Sequence, residues 1–205
     1  MDVKRWAGVM VAAWVVLLAG CTGLQTNAST TVEVPRRVEL SSGGTKAFNY
    51  TPWYIHTFSI SGPKGSRIGG GGPNVMPARE DGRRSGGGKE SCCTRYPREW
   101  QPDLRVTVRW LAFKDVKRLG AKAPGSWYKA ENVQIPQYDG SRSGGVWAIF
   151  LPGDRVKIMV ADGNASGHNS VAVRPADDDP YVAQGSPDEE WNDAYPNGVR
   201  RGLVK

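Results

Sequence analysis

Two histidines and three cysteines are all that this 205-residue sequence offers of the side chains that most often carry acid–base, thiol or metal chemistry. So small a supply leaves little material for general acid–base catalysis. A structural zinc site is excluded as well, because Cys92 and Cys93 are adjacent and only His56 and His168 stand elsewhere, unlike the spaced ligand pairs such sites use. There is no Gly-x-Ser-x-Gly nucleophile elbow and no His-Glu-x-x-His pair. The four glycines from Gly69 to Gly72 have neither the Lys-Ser/Thr pair nor the helix start of a phosphate cradle. The acidic run Asp177, Asp178, Asp179 lacks the spacing of a calcium loop and reads as a solvated turn. Long helical periods are missing too, residues 113–119 being the best short candidate. These absences argue against an enzyme and predict no metal.

What is present begins at the N-terminus. Lys4 and Arg5 precede an apolar run over residues 6–18, too short for the roughly 20 residues that span a bilayer. The run ends in Leu18-Ala19-Gly20-Cys21, which resembles the lipobox of bacterial lipoproteins. That resemblance implies cleavage after residue 20, a diacylglycerol on Cys21 as the one attached group and no other cofactor, with anchoring made effectively permanent by the acyl chains. Thr22 follows the cysteine where an aspartate would resemble an inner-membrane retention signal. The expected location is therefore the periplasmic face of the outer membrane. The formal net charge of +7 then favours anionic headgroups or an acidic protein partner, and the compartment argues against nucleic acid.

After a small, polar tether over residues 21–31, the chain reads as short strands punctuated by Gly and Pro. Val32 and Val34 alternate with Glu33. Tyr54, His56, Phe58 and Ile60 share one parity, which makes His56 a core histidine in expectation. Residues 62–88 are dominated by Gly, Pro and charge and read as one long loop. Leu104, Val106, Val108 and Trp110 alternate with Arg105, Thr107 and Arg109 as the clearest strand. A hairpin is expected between residues 146–151 and 156–160, turning at Pro152-Gly153-Asp154. The predicted fold is mainly β, an antiparallel sandwich or small barrel with long Gly-rich loops over residues 32–174. An acidic, turn-rich and loosely packed tail is expected over residues 175–205, with Trp191 and Tyr195 as isolated anchors.

With Cys21 lipidated, Cys92 and Cys93 remain in an oxidising compartment. They can close an eight-membered ring, stay as two reduced buried thiols, or bridge between molecules. The ring is strained, because Cα atoms about 3.8 Å apart across a trans peptide fall short of the usual disulfide range of about 4.4 to 6.8 Å.

These features lie within a longer pattern: Asn49-Tyr50-Thr51, Ile55, Ser61-Gly62, Gly86-Gly87-Gly88, Ser91-Cys92-Cys93, Pro97, Trp100 and the strand ending Val106-Thr107-Val108-Arg109-Trp110. Over roughly residues 45–165 the chain resembles bacterial lipoproteins that carry a domain of unknown function and are encoded beside type VI secretion phospholipase effectors. The resemblance implies an immunity role, a periplasm-facing lipoprotein that binds and neutralises a phospholipase. Residues 63–84 depart from the pattern by being longer and more basic. Long loops on a rigid sheet commonly carry recognition, so Arg79, Arg83 and Arg84 are the expected contacts. Exposed Trp53 or Trp127 would serve as stacking platforms in the alternative of an envelope glycan-binding module; a structural assembly lipoprotein is the third reading.

Overall fold

The computed structural model describes residues 38–198. Residues 1–37, with the expected signal segment, Cys21, the expected tether and the expected Val32–Val34 strand, lie outside them. The elements in chain order are β1 (Leu40–Asn49), β2 (Tyr54–Ser61), β3 (Gly69–Gly72), β4 (Ser85–Gly86), β5 (Ser91–Pro97), β6 (Arg105–Phe113), α1 (Val116–Leu119), β7 (Gly125–Gln134), β8 (Val146–Leu151), β9 (Arg155–Val160), β10 (Ala183–Gln184), β11 (Ser186–Pro187) and α2 (Glu189–Ala194).

The mainly β expectation holds: the strands form one nearly closed, barrel-like sheet in the order β10-β9-β8-β1-β5-β3-β2-β6-β7-β11, with β4 pairing β1 beside that path. Its pairs are antiparallel except β1 against β8, where Thr45 to Asn49 run parallel to Val146 to Phe150. The predicted hairpin is the β8–β9 pair, in register from Val146↔Val160 to Leu151↔Arg155.

Alternation builds the interior. Val106, Val108 and Trp110 of β6 point inward as their parity requires, joining Phe58, Ile60, Tyr128, Val133, Phe150, Val156 and Ile158 in one core. In β2 the parity breaks. Ile55 pairs Ala112 and Thr57 pairs Leu111, so His56 is an extra, bulged residue. The bulge places Ile55 in the core and turns His56 outward, where it is exposed beside the rings of Tyr54 and Phe113 at 5.9 and 5.8 Å. The expectation of a core histidine is thereby corrected.

Residues 62–88 hold two strands as well as loop. A sequence of four glycines has weak strand propensity, yet Gly69–Gly72 pairs β2 along its whole length. A Cβ at Gly72 would overlap the buried Phe58 ring, and one at Gly70 would meet Thr94 at 2.7 Å from its Cα. The bare strand therefore gives its inner-face space to side chains of its neighbours.

The described part of the C-terminal segment, residues 175–198, is packed rather than loose; residues 199–205 lie outside the described residues. Ala183 and Gln184 pair β9, Ser186 and Pro187 pair β7, and Gly185 between them joins the two ends of the sheet. Gly185 N donates to Asp154 O at 2.8 Å, and its missing side chain is replaced by the edge of Trp110. Beyond it, Asn192 accepts from Trp127 N at 2.7 Å and donates to Trp127 O at 3.0 Å, while Asn197 accepts from Gly125 N at 2.8 Å. Side-chain amides thus satisfy part of an edge strand that would otherwise invite pairing.

Candidate functional site

Two irregular segments leave the barrel on one flank. Residues 73–84 follow β3 and return through β4, and residues 161–182 follow β9 and return as β10. Between them lies a second apolar cluster outside the barrel, Phe48, Ile149, Leu151 and Met159, with Tyr50, Trp147, Val171 and Val182 packed on it. Hence β8 and β9 are buried on both faces.

Arg84 clasps this arrangement. Its guanidinium lies 3.7 Å from the centroid of the Phe48 ring and donates to Tyr50 Oη at 3.2 Å and to Val171 O at 3.0 Å, tying both segments to β1. The other two predicted arginines stand apart from it. Arg79 and Arg83 face each other across a tight exposed turn, Arg79 N donating to Arg83 O at 2.8 Å. Arg83 pairs with Asp81 at 2.6 Å, which holds that carboxyl below its usual pKa. Arg84→Ala is therefore expected to lower stability by about 2 kcal/mol, from the lost charged hydrogen bond and cation–π contact. Arg83→Ala leaves the unfolding transition in place; urea denaturation of the two variants checks this.

Under residues 161–182 lies a polar network that sequence reasoning missed. Lys157, with 3% of its side chain exposed, donates to Asp179 Oδ2 at 2.7 Å, and the Asp179 side chain is 8% exposed. Tyr181 N donates to Asp179 Oδ1 at 2.9 Å, and His168 Nδ1 stands 3.6 Å from Oδ2. Asp179 is consequently no solvated turn residue, whereas Asp177 and Asp178 are exposed. A signal existed: Lys157 is the one charged residue inside the apolar run of residues 156–160. Next to the network, Asp139, Asp162, Asn164, His168 and Tyr181 line an open cleft of about 480 Å³.

Cys92 and Cys93 are joined as a vicinal disulfide at the start of β5, with a cis peptide bond between them, and both are exposed. Of the candidate stacking platforms, Trp127 is 7% exposed beneath Trp191, their centroids 4.8 Å apart, and its Nε1 donates to Tyr195 O at 3.0 Å. Trp53 is half-buried, with Lys114 Nζ 4.1 Å from its ring. His168 is exposed. Among the described residues no group of three or more His, Cys, Asp or Glu side chains is placed to hold a metal ion.

The framing residues of the sequence pattern now have places. Asn49, fully buried, accepts from Thr51 N at 2.9 Å and Thr51 Oγ1 at 2.8 Å and donates to Trp53 O at 2.7 Å and Met76 O at 3.0 Å, so that one side chain secures the β1–β2 turn and the following segment. Trp100 Nε1 donates to Ile135 O at 3.0 Å. Residues 48–158, which carry these contacts, match the family model described as "Protein of unknown function (DUF3304)". The chain belongs to the DUF3304 family. Neither a curated protein nor a solved structure matches it. The DUF3304 match covers the barrel from the end of β1 into β9 and stops short of residues 161–182, the closing strands and α2. Those later parts bury the outer face of β9 and join the sheet ends, so the matched region alone does not complete this barrel.

Proposed function

We propose that this DUF3304 protein acts by binding rather than by catalysis: a lipoprotein, lipidated at Cys21 and facing the periplasm from the outer membrane, that binds and neutralises a type VI secretion phospholipase effector. The observation that carries the reading is the union of a rigid barrel with two long irregular segments pinned together on one flank, an arrangement suited to presenting a preorganised contact surface. Its buried polar side chains are engaged with one another and with backbone, which suits a scaffold. The lipobox-like N-terminus adds a reason for the location, since an inhibitor held at the membrane meets a lipase where the substrate lies.

The test is a binding and activity measurement with the full chain, purified in detergent, and the phospholipase encoded beside its gene. The expected result is nanomolar affinity and stoichiometric loss of lipase activity. Absence of an adjacent lipase gene, or no binding, removes the inhibitor reading. The envelope glycan-binding reading would then move ahead on one feature, the cleft at Asp139, Asp162, Asn164, His168 and Tyr181, whose carboxylates, amide and aromatic rings suit sugar hydroxyls and ring faces.

A further inference from the structure

The connection from β2 to β3 holds an arginine in an uncommon conformation. Arg67 has φ +59°, in the left-handed region that glycine or asparagine occupies at less cost. Its backbone is fixed from both sides. Gly62 N donates to Ile68 O at 3.0 Å, Ile68 N donates to Ser66 Oγ at 3.2 Å, and the Ile68 side chain packs against the core. A costly backbone position that its surroundings enforce points to a role for the side chain it presents, and Arg67 is exposed.

A second arginine shares its cavity. Arg95 of β5 stands between the buried Thr94 and Tyr96, so alternation puts it on the outer face, with Ser42 of β1 and Gly69 of β3 as its Cα partners. Arg67, Arg95, Ser41 and Ser42 all line one open cavity of about 560 Å³. Among the described residues, no hydrogen bond or ion pair engages any of these four side chains. Glu39, the carboxylate on the same wall, is already paired with Arg98 at 2.8 Å, which leaves the cavity positive. Two guanidinium groups and two hydroxyls can all donate, which matches the oxygens of a phosphate.

Position narrows the source of that phosphate. The cavity is the part of the barrel nearest Cys21 along the chain: Val38 lies on its rim, 45% exposed, and Arg36 and Arg37 directly precede Val38 in the sequence. Even at full extension, residues 22–37 reach no more than about 60 Å. An apolar rim beside unpaired basic groups, tethered this closely to a lipidated cysteine, suits the headgroup layer of an anionic bilayer.

We propose that Arg67 and Arg95, with the hydroxyls of Ser41 and Ser42, bind the phosphate of an anionic phospholipid headgroup. The choice of lipid over free phosphate rests on the lipoprotein reading; the cavity and its charge do not.

The test is a titration of the full chain, in a neutral detergent, with glycerophosphoglycerol, followed through the amide resonances of residues 41–42, 66–68 and 94–96. These resonances are expected to move together. Arg67→Gly and Arg95→Gln should each weaken binding by about tenfold. Lys122→Gln, which removes the same charge from an exposed site between α1 and β7, should stay within about twofold of wild type. Arg67→Gly should leave the unfolding midpoint unchanged or raise it, because glycine accepts this backbone freely. In a second arm the chain is reconstituted in phosphatidylcholine vesicles with and without phosphatidylglycerol, and amide exchange over residues 66–68 should slow only where phosphatidylglycerol is present. Resonances that do not move in the wild type, or that move equally in both variants, overturn the cavity as a phosphate site. Inorganic phosphate binding as tightly as glycerophosphoglycerol, with no slowing on the vesicles, would assign the site to free phosphate and overturn the lipid. Protection of the same residues by the phospholipase, with no response to phosphatidylglycerol, would assign it to protein contact and overturn the proposal as well. The titration needs no anchor, so a purified chain whose mass shows no acyl groups overturns the lipoprotein reading separately.

Discussion

Replacing Asp179 by Ala is expected to destabilise the fold by about 3–5 kcal/mol, measured by urea denaturation at neutral pH. The reason is the partner left behind. Lys157 projects from the outer face of β9 with 3% of its side chain exposed, and Asp179 is its carboxylate at 2.7 Å. Without Asp179 the ammonium must remain buried without its counter-charge or drag residues 161–182 away from the sheet. Replacing both residues by apolar ones, Lys157→Met with Asp179→Leu, should restore most of the loss, because the desolvation of two charges then disappears along with their attraction. A pH series sharpens the test. Burial pulls the Asp179 pKa up, but Lys157, the Tyr181 N–H and His168 facing it more than offset this, and the carboxyl ends below its usual value. The folded protein therefore releases this proton at lower pH than the unfolded chain. Stabilisation from the pair is complete above the usual carboxylate pKa and is lost as pH falls through the lower folded value. The gap between wild type and Asp179→Ala should close over that acid range; a gap independent of pH would show that the carboxylate's charge is not what holds the segment.

Trp110→Ala should cost about as much, about 3–5 kcal/mol, for a different reason. Trp110 is fully buried, stacks on Tyr128 with centroids 5.8 Å apart and leans on Phe150 at 5.9 Å. Its ring edge also fills the space that Gly185 leaves at the seam where β10 and β11 bring the sheet ends together. The void would open at the closure of the barrel, where little can collapse to fill it. Equilibrium unfolding measures the loss, and faster amide exchange over residues 183–187 than over β8 would locate it. A uniform change in exchange would mean that the seam has no special dependence on this ring.

Much of the architecture was legible because period-two alternation is a local property. The β6 strand and the β8–β9 hairpin announce themselves through Val106, Val108 and Trp110 and through the Pro152-Gly153-Asp154 turn, and the structure has them there. Local pattern misled wherever the deciding contact was distant. His56 follows the apolar parity of its strand, but pairing with β6 inserts a bulge at it and reverses the faces. Gly69–Gly72 has no side chains to signal a strand, and the reason it forms one, room for Phe58 and Thr94, lies on neighbouring strands. Arg79, Arg83 and Arg84 look equivalent in a basic loop, yet only Arg84 reaches the Phe48 ring and Val171.

Composition and alternation by themselves determined a mainly β chain, the inward set of its clearest strands and a scarcity of the side chains that catalysis or metal binding requires. Whether the sheet closes was a tertiary matter, since four residues near the C-terminus pair with β7 and β9, strands distant in sequence. The same holds for Asp179, whose carboxylate is solvated or buried according to whether Lys157 lies beneath it. A residue's neighbours along the chain fix its local period, whereas its solvation and charge partners depend on which distant segment folds against it.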